Sequence, residues 1–224
     1  MPDLALVGYG KMGRMVDEFA PEYGFNVTAR IDVGREEPLD NVAVAIEFST
    51  PAAVMGNIRK LATSRIPAVV GTTGWLEHLD EAKRVIAENN SALIWSPNFS
   101  IGVNVFERLV SEAARLLKDE KEYGAWAWEI HHITKKDAPS GTLLKLVEAM
   151  KNAGYEREIS VGSNRAGAHP GTHEIGFDSL ADTITLKHVA RSREGFARGA
   201  LKAAQWIVGR KGFYEFRDAL FGTR

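Results

Sequence analysis

The sequence predicts an α/β fold: a doubly wound parallel sheet, followed by a second α+β domain built on an open mixed sheet. Three observations lead there. Short apolar β-branched runs alternate with helical patterns over the first hundred residues. Those runs are apolar at consecutive positions, as strands covered on both faces must be. After Pro97-Asn98 the texture changes to strands of alternating character with few helices between them. With 224 residues the chain is long for one domain and short for two, which suits a large domain with a smaller companion.

In order, Leu4-Ala5-Leu6-Val7 reads as a buried strand ending at Gly8, and Met12, Met15, Val16 and Phe19 fall at helical spacing until Pro21 and Gly24 close the segment. Val27 to Ile31 and Val42 to Ile46 read as strands. Val54, Ile58 and Leu61 mark a helix, Ala68 to Val70 a strand, Leu79, Ala82, Val85 and Ile86 a helix, and Ala92 to Trp95 a strand. Next comes a helix carrying Phe106, Leu109, Val110, Ala113, Leu116 and Leu117, then the stretch YGAWAWEIHH. Period-two alternation there puts Trp126, Trp128, Ile130 and His132 on one face and Ala127, Glu129 and His131 on the other. A helix over Leu143 to Met150 precedes strands at Ile159 to Ser163, His173 to Phe177 and Thr183 to Val189. A last helix carries Phe196, Ala200, Ala203, Ala204, Ile207 and Val208. No internal repeat is present. The expected domains are residues 1–100 with 193–224, and residues 101–192.

Composition narrows the function. Lys plus Arg number 28 against 29 Asp plus Glu, for a net charge of -1, so nothing global draws the chain to nucleic acid or to an anionic membrane surface. The absence of cysteine excludes disulfides, thiolate metal sites and cysteine nucleophiles. No apolar stretch approaches ~20 residues, and the N-terminus lacks a basic and apolar leader. The expectation is a cytoplasmic protein.

The stretch ALVGYGKMGR sets Gly8, Gly10 and Gly13 in G-x-G-x-x-G spacing, after a strand and opening a helix. Gly8 allows the tight turn, Gly10 lets a pyrophosphate approach the backbone, and Gly13 lets helix and strand pack closely. Helix N–H groups then face the phosphates. A glycine-rich turn that binds nothing is the alternative. The position of the loop after the first strand, and Asp32 nineteen residues after Gly13, favour a Rossmann-type dinucleotide site. Asp32 would accept hydrogen bonds from an adenosine ribose, whereas Lys11, Arg30 and Arg35 could meet a 2′-phosphate, so use of both NADH and NADPH is expected. GTTGW at 71–75 and SPNFSIG at 96–102 stand where sheet strands should end, the place for a nicotinamide.

The segment EIHHITKKDAPSGT at 129–142 gathers two histidines, two lysines and a helix start. His131 and His132 would point to opposite faces of a regular strand, so they serve one site only if the strand ends or bends there. Asp137, Pro139 and Gly141 suggest that it does. Neighbouring histidines without a carboxylate or thiolate at ligand spacing make a poor metal site, and no metal is expected. The favoured reading is an anion site. Lys135 and Lys136 supply charge, Ser140-Gly141-Thr142 supply the N–H groups and hydroxyls of a helix start, and a histidine carries the proton. An exposed basic turn before a capped helix is the alternative.

With GYGKMG, GTTG, SPNFSIGVN, RAGAHPGTHEIGF and SREGFARGA, this segment closely resembles the dihydrodipicolinate reductase family, over nearly the whole chain and in the right order. The resemblance implies that His131 donates or accepts a proton and that Lys135 donates one while pairing with a substrate carboxylate. His132 then contacts the substrate, and Ser140, Gly141 and Thr142 hold the other carboxylate. It implies that Gly8, Tyr9, Gly10, Lys11, Met12 and Gly13 bind the pyrophosphate and Asp32 the adenosine ribose. Gly71, Thr72 and Thr73, with Ser96, Pro97, Asn98 and Phe99, then surround the nicotinamide. The implied reaction is reduction of 4-hydroxy-tetrahydrodipicolinate, a cyclic dicarboxylate, to tetrahydrodipicolinate by NADH or NADPH, in lysine and diaminopimelate biosynthesis. The implied fold hinges a nucleotide domain, completed by the C-terminal helix, to a substrate domain whose open sheet builds a homotetramer and buries Trp126 and Trp128. Ile133 and Thr134 depart from the basic or polar residues of many members, and Arg193 matches an arginine near the second domain junction. Rival functions are another nicotinamide dehydrogenase of a small amino or dicarboxylic acid, or a nucleotide-sensing module. The sugar type usually carries a Glu-Lys-Pro motif absent here, and a sensor has no use for His131 and Lys135.

Overall fold

The structure, a computed structural model, describes residues 1–222; the expected first domain runs to 224, so its last two residues lie outside the described chain. The elements begin β1 (Asp3–Val7), α1 (Lys11–Phe19), β2 (Asn26–Ile31), β3 (Val42–Glu47), α2 (Pro51–Thr63), β4 (Ala68–Val70), α3 (Leu79–Glu88) and β5 (Ala92–Trp95). Then come α4 (Ile101–Leu117), β6 (Gly124–His131), α5 (Gly141–Asn152), β7 (Ile159–Arg165), β8 (Thr172–Asp178) and β9 (Thr183–Val189). The chain closes with α6 (Glu194–Ile207), β10 (Gly212–Glu215) and α7 (Phe216–Phe221). It divides into two compact units, Met1–Ile101 with the chain from Glu194 on, and Gly102–Arg193.

The first unit is a six-stranded parallel sheet ordered β10-β5-β4-β3-β1-β2. Because side chains alternate across a strand, Leu4, Leu6, Val44, Ile46, Val69 and Ile94 face α1 and α6. Ala5, Val7, Ala45, Ala68, Val70 and Leu93 face α2 and α3. Both faces are covered, which is why these strands read as unbroken apolar runs. The chain leaves β1 for β2 on one side and returns to β3 on the other, so the order reverses at β1, where the carboxyl ends open a crevice.

The final strand, β10, has no counterpart in the sequence reading. Its four residues are half-buried throughout, and an edge strand that short carries no alternation to detect. Of the apolar residues that marked α4 in the sequence, Leu109 and Leu116 are exposed. Val110 and Ala114 form the buried row with Phe106.

The second unit is a four-stranded mixed sheet ordered β7-β6-β8-β9, with β6 and β7 parallel and the other pairs antiparallel. One face packs on α4 and α5 through Ala125, Ala127, Ile175 and Phe177 against Phe106, Val110, Leu143, Leu146 and Met150. On the other face Trp126 lies over Gly176 and Trp128 over Gly162; a Cβ at Gly176 would stand 2.1 Å from the Trp126 ring. On this face the half-exposed tryptophans share the surface with the Glu174–Lys187 ion pair at 3.0 Å and with Asn164, which accepts the Trp128 indole N–H at 2.6 Å. Among the described residues no helix is long and apolar enough to cross a membrane.

Candidate functional site

The glycine loop is built by close packing. Gly8 has φ +90, and a Cβ there would come within 2.2 Å of the Phe48 carbonyl oxygen; a Cβ on Gly13 would come within 2.2 Å of the Gly8 oxygen. Gly10 differs, since nothing lies within 4 Å of its Cβ position. Gly10 is also the N-cap of α1 and supplies no side-chain cap. The open space and uncapped first-turn N–H groups fit a dinucleotide pyrophosphate. Lys11 is exposed and Met12 half-buried against the core.

Around Tyr9 stand Arg14, Arg30 and Arg35, each guanidinium carbon 5.9 Å from the ring centroid. Arg30 is held by Asp17 through bonds of 2.6 and 2.9 Å, and the Tyr9 hydroxyl donates to the same carboxylate at 2.5 Å. Burial pushes the Asp17 carboxyl up, but the hydrogen bonds from Arg30 and Tyr9 outweigh it and leave it below its ordinary value. Arg35 pairs with Glu37, whose other oxygen accepts the Arg30 backbone N–H at 2.7 Å. Asp32 is exposed just past β2 and accepts the Val33 N–H at 2.9 Å.

At the ends of β3, β4 and β5 the other expected cofactor residues meet. The Phe48 ring occupies the space a side chain on Gly71 would need, 2.0 Å from that Cβ position. Thr72 accepts the Ser49 N–H on its hydroxyl at 2.8 Å, and its carbonyl accepts the Trp75 indole N–H at 2.8 Å. Ser96 donates to the Asn98 carbonyl at 2.8 Å. Thr73 and Pro97 are exposed. Phe99 is buried, its ring 4.9 Å from Phe216 and 6.4 Å from Phe48, so its part is to pack beneath the loops. Phe48, Ser49 and the buried Glu47 that accepts from Ser49 and Asn57 were missed. A carboxylate in the apolar run VAVAIE is the signal that marked them.

In the second unit β6 ends at His131, as the turn residues after it suggest. His131 is turned inward beside Glu129; His132 is half-buried, its Nδ1 2.8 Å from the Thr134 hydroxyl. Lys135 donates to both oxygens of Asp137 at 2.8 and 3.0 Å, and that ammonium holds the Asp137 carboxyl below its ordinary value. Lys136 is exposed. Ser140 caps α5, accepting the Leu143 N–H at 3.2 Å, and its own hydroxyl donates to Glu129. That leaves the exposed Gly141 and half-exposed Thr142, in the first turn of α5, as the outward part of the cradle.

Behind these groups lies a polar cluster that strand pairing assembles. Register sets Glu129 opposite Ser163 and His173, and His131 opposite Arg165. Glu129 Oε1 accepts from the Ser140 N–H at 2.8 Å, the Ser163 hydroxyl at 2.7 Å and Arg165 at 3.1 Å. Burial pushes this carboxyl up, and the bonds from Ser140, Ser163 and Arg165 overcome it, so it stays ionised. His173 Nε2 lies 3.3 Å and His131 Nδ1 3.5 Å from Oε2. Burial pushes His131 down, Glu129 pulls it back up, and Lys135 and Arg165 add to the lowering. His173 is pushed down to about 4, chiefly by burial and then by His131.

Glu129, His131 and His173 keep ligand atoms within 4.8 Å of one another, a set that could hold a cation. The sequence placed Glu129 on the His131 face but not His173, which arrives from β8. Here Glu129 Oε1 already accepts from Ser140, Ser163 and Arg165, and the Arg165 guanidinium beside the carboxylate opposes a second cation.

Both halves of the chain resemble known proteins. Residues 3–99 match the family model described as dihydrodipicolinate reductase, N-terminus, and residues 102–220 match that of its C-terminus. A 4-hydroxy-tetrahydrodipicolinate reductase of Christiangramia forsetii is 35% identical, covering 97% of each chain. That of Aquifex aeolicus is 40% identical over 83% of this chain and 76% of its own. The solved structure of a dipicolinate-bound dihydrodipicolinate reductase from Paenisporosarcina sp. TG-14 superposes with a TM-score of 0.81 at 21% identity, covering 97% of this chain and 99% of that one, a likeness of fold. With both family halves matched in order and a relative spanning almost its full length, the chain belongs to the dihydrodipicolinate reductase family.

Proposed function

We propose that this oxidoreductase reduces 4-hydroxy-tetrahydrodipicolinate to tetrahydrodipicolinate with His131 and Lys135 as its proton-handling groups. The observation that carries the reading is local: a histidine, an ammonium and the first turn of α5 converge within twelve residues after one strand end. The reaction adds a hydride and a proton to a conjugated cyclic imine and releases the ring hydroxyl as water. A reduced nicotinamide, when bound, supplies the hydride. Lys135 and the N–H groups of Gly141 and Thr142 take the two carboxylates, with His132 against the ring. Lys135 exchanges Asp137 for the substrate carboxylate, so one anion replaces another without stranding the ammonium. His131 gives the proton from Nε2; the dianion beside it offsets the burial that lowers it in the free protein.

Gly8, Tyr9, Gly10, Lys11, Met12 and Gly13 would hold the pyrophosphate, and Gly71, Thr72, Thr73, Ser96, Pro97 and Asn98 would surround the nicotinamide, with Phe99 packed beneath them. For the ribose, both an exposed acid, Asp32, and a cationic rim of Arg14, Arg30 and Arg35 are present. That supports use of both NADH and NADPH. The half-exposed Trp126 and Trp128 on an open sheet face support assembly into a homotetramer, since large aromatic surface left in water invites association. Arg193 is exposed at the unit boundary, and we assign it no step.

The test supplies the condensation product of aspartate semialdehyde and pyruvate and follows oxidation of NADH and of NADPH in parallel. Turnover with both is expected. No turnover with either would refute the reading, and a thousandfold bias would refute dual use.

A further inference from the structure

The inner face of the second sheet is apolar along Ala125, Ala127, Ile175 and Phe177, then turns abruptly polar. Strand register sets Ser163, Glu129, His173 and His188 abreast across all four strands. Glu129 is fully buried, and a carboxylate taken out of water persists only where donors surround it. Ser140, Ser163 and Arg165 satisfy Oε1, and the Ser140 hydroxyl reaches Oε2. The same Oε2 faces His131 Nδ1, an atom buried with no hydrogen-bond partner at ordinary distance. The opposite edge of that ring is bounded by Gly171, whose missing Cβ would stand 3.0 Å from Nε2.

We infer that Glu129 is a positioning residue for the reduction. Its carboxylate fixes the proton on His131 Nδ1, so that Nε2 carries the mobile one, and it ties that ring to the helix start that receives a substrate carboxylate. The inference rests on the reading of His131 as proton donor. Resting in the free protein, His131 is neutral with its single proton on Nδ1, toward Glu129. Protonated at Nε2 when the dianion binds, the ring gives that proton to the enamine carbon beside the one that took the hydride, the enamine C=C pair forming the bond as C=N is restored. The N–H electron pair stays on nitrogen, a C–H bond forms, and solvent replaces the proton. Glu129 balances the imidazolium while it exists. The other charged or titratable groups facing His131 are His173 from β8, Arg165 from β7, and Lys135 and Asp137 from the following loop. His173 also meets the Ser140 hydroxyl, at 3.2 Å, but Glu129 takes both the Ser140 N–H and its hydroxyl at the head of α5, which couples proton donor to anion cradle.

Glu129→Gln keeps the shape and an acceptor for the Ser140 N–H while removing the charge. It should lower kcat by about 10- to 100-fold, the range for removing a carboxylate that backs a metal-bound histidine. It should change the KM for the dicarboxylate less than about threefold and leave NADH affinity unchanged. The alkaline limb of the kcat profile should move toward acid, because the anion favours the imidazolium. In a His131→Gln background the same substitution should add less than about twofold, since it acts through a ring no longer there. An equal loss in both backgrounds, or an unmoved alkaline limb, overturns the inference while leaving the reduction itself intact. Absence of turnover in the wild type would instead sink the functional reading. A measurement independent of any Glu129 variant is ¹⁵N NMR of the wild-type histidines: the signal lost in His131→Gln should report the Nδ1–H tautomer, and an Nε2–H tautomer overturns the inference.

Discussion

Alanine at Gly8 and alanine at Gly10 should fail in different ways. At Gly8 the backbone sits at φ +90, and the new Cβ would lie 2.2 Å from the Phe48 oxygen, 2.5 Å from its carbon and 2.9 Å from the Ser49 Cα. All three are backbone atoms, which cannot rotate aside. A side chain in left-handed backbone costs about 1–2 kcal/mol and overpacking adds about 1–3 kcal/mol. Gly8→Ala should therefore lose about 2–5 kcal/mol, or roughly 10 °C in Tm for a chain of this size. At Gly10 nothing lies within 4 Å and φ is -76, so stability should fall by less than about 1 kcal/mol, the scale of an N-cap exchange. There the methyl group would occupy the space reserved for the pyrophosphate, and NADH should bind at least about tenfold more weakly, worth ~1.4 kcal/mol. Thermal unfolding and calorimetric titration with NADH separate the two effects. A Gly8→Ala protein as stable as wild type, or a Gly10→Ala protein with undiminished NADH affinity, would refute the assignment.

Further expectations follow from the second unit. Lys135→Ala and His131→Gln should each cut kcat by about 10²- to 10⁴-fold, as loss of a general acid does, with NADH affinity unchanged by titration; undiminished turnover in both removes their roles. His173 titrates near 4 when folded against 6.5 when unfolded, so the unfolded chain binds the extra proton between those values and stability falls as pH drops below 6.5. From pH 6.5 to 5 this one residue accounts for about 2 kcal/mol. His173→Gln should flatten that fall in urea midpoints; an identical slope contradicts the burial argument. Trp126→Glu, on the flat face over Gly176, should lower the mass measured by light scattering, and an unchanged mass places the assembly surface elsewhere.

Much of this was legible locally. The runs at Leu4–Val7 and Val42–Ile46 announce strands covered on both faces, and the G-x-G-x-x-G spacing announces the loop, because each signal lies within a few adjacent residues. The end of β6 at His131 was likewise readable from Asp137, Pro139 and Gly141. What stayed hidden depends on pairing between distant strands. Phe48 fills the space over Gly71, and Ser163, Arg165 and His173 reach Glu129 from 34, 36 and 44 residues away. Period-two alternation did put Glu129 on the His131 face, but only register shows what else shares it. The strand β10 went unread because four half-buried edge residues carry no pattern.

The central claim is that the segment from His131 to Thr142 is a clamp for a ring bearing two carboxylates. The most direct measurement is a crystal structure of the protein soaked with pyridine-2,6-dicarboxylate. One carboxylate should lie about 3 Å from the N–H groups of Gly141 and Thr142, with Lys135 Nζ on an oxygen of the ligand in place of Asp137, and the ring should lie within reach of His131 Nε2. A fully occupied dicarboxylate bound elsewhere, with Lys135 still on Asp137 and His131 facing solvent or protein alone, would contradict the account.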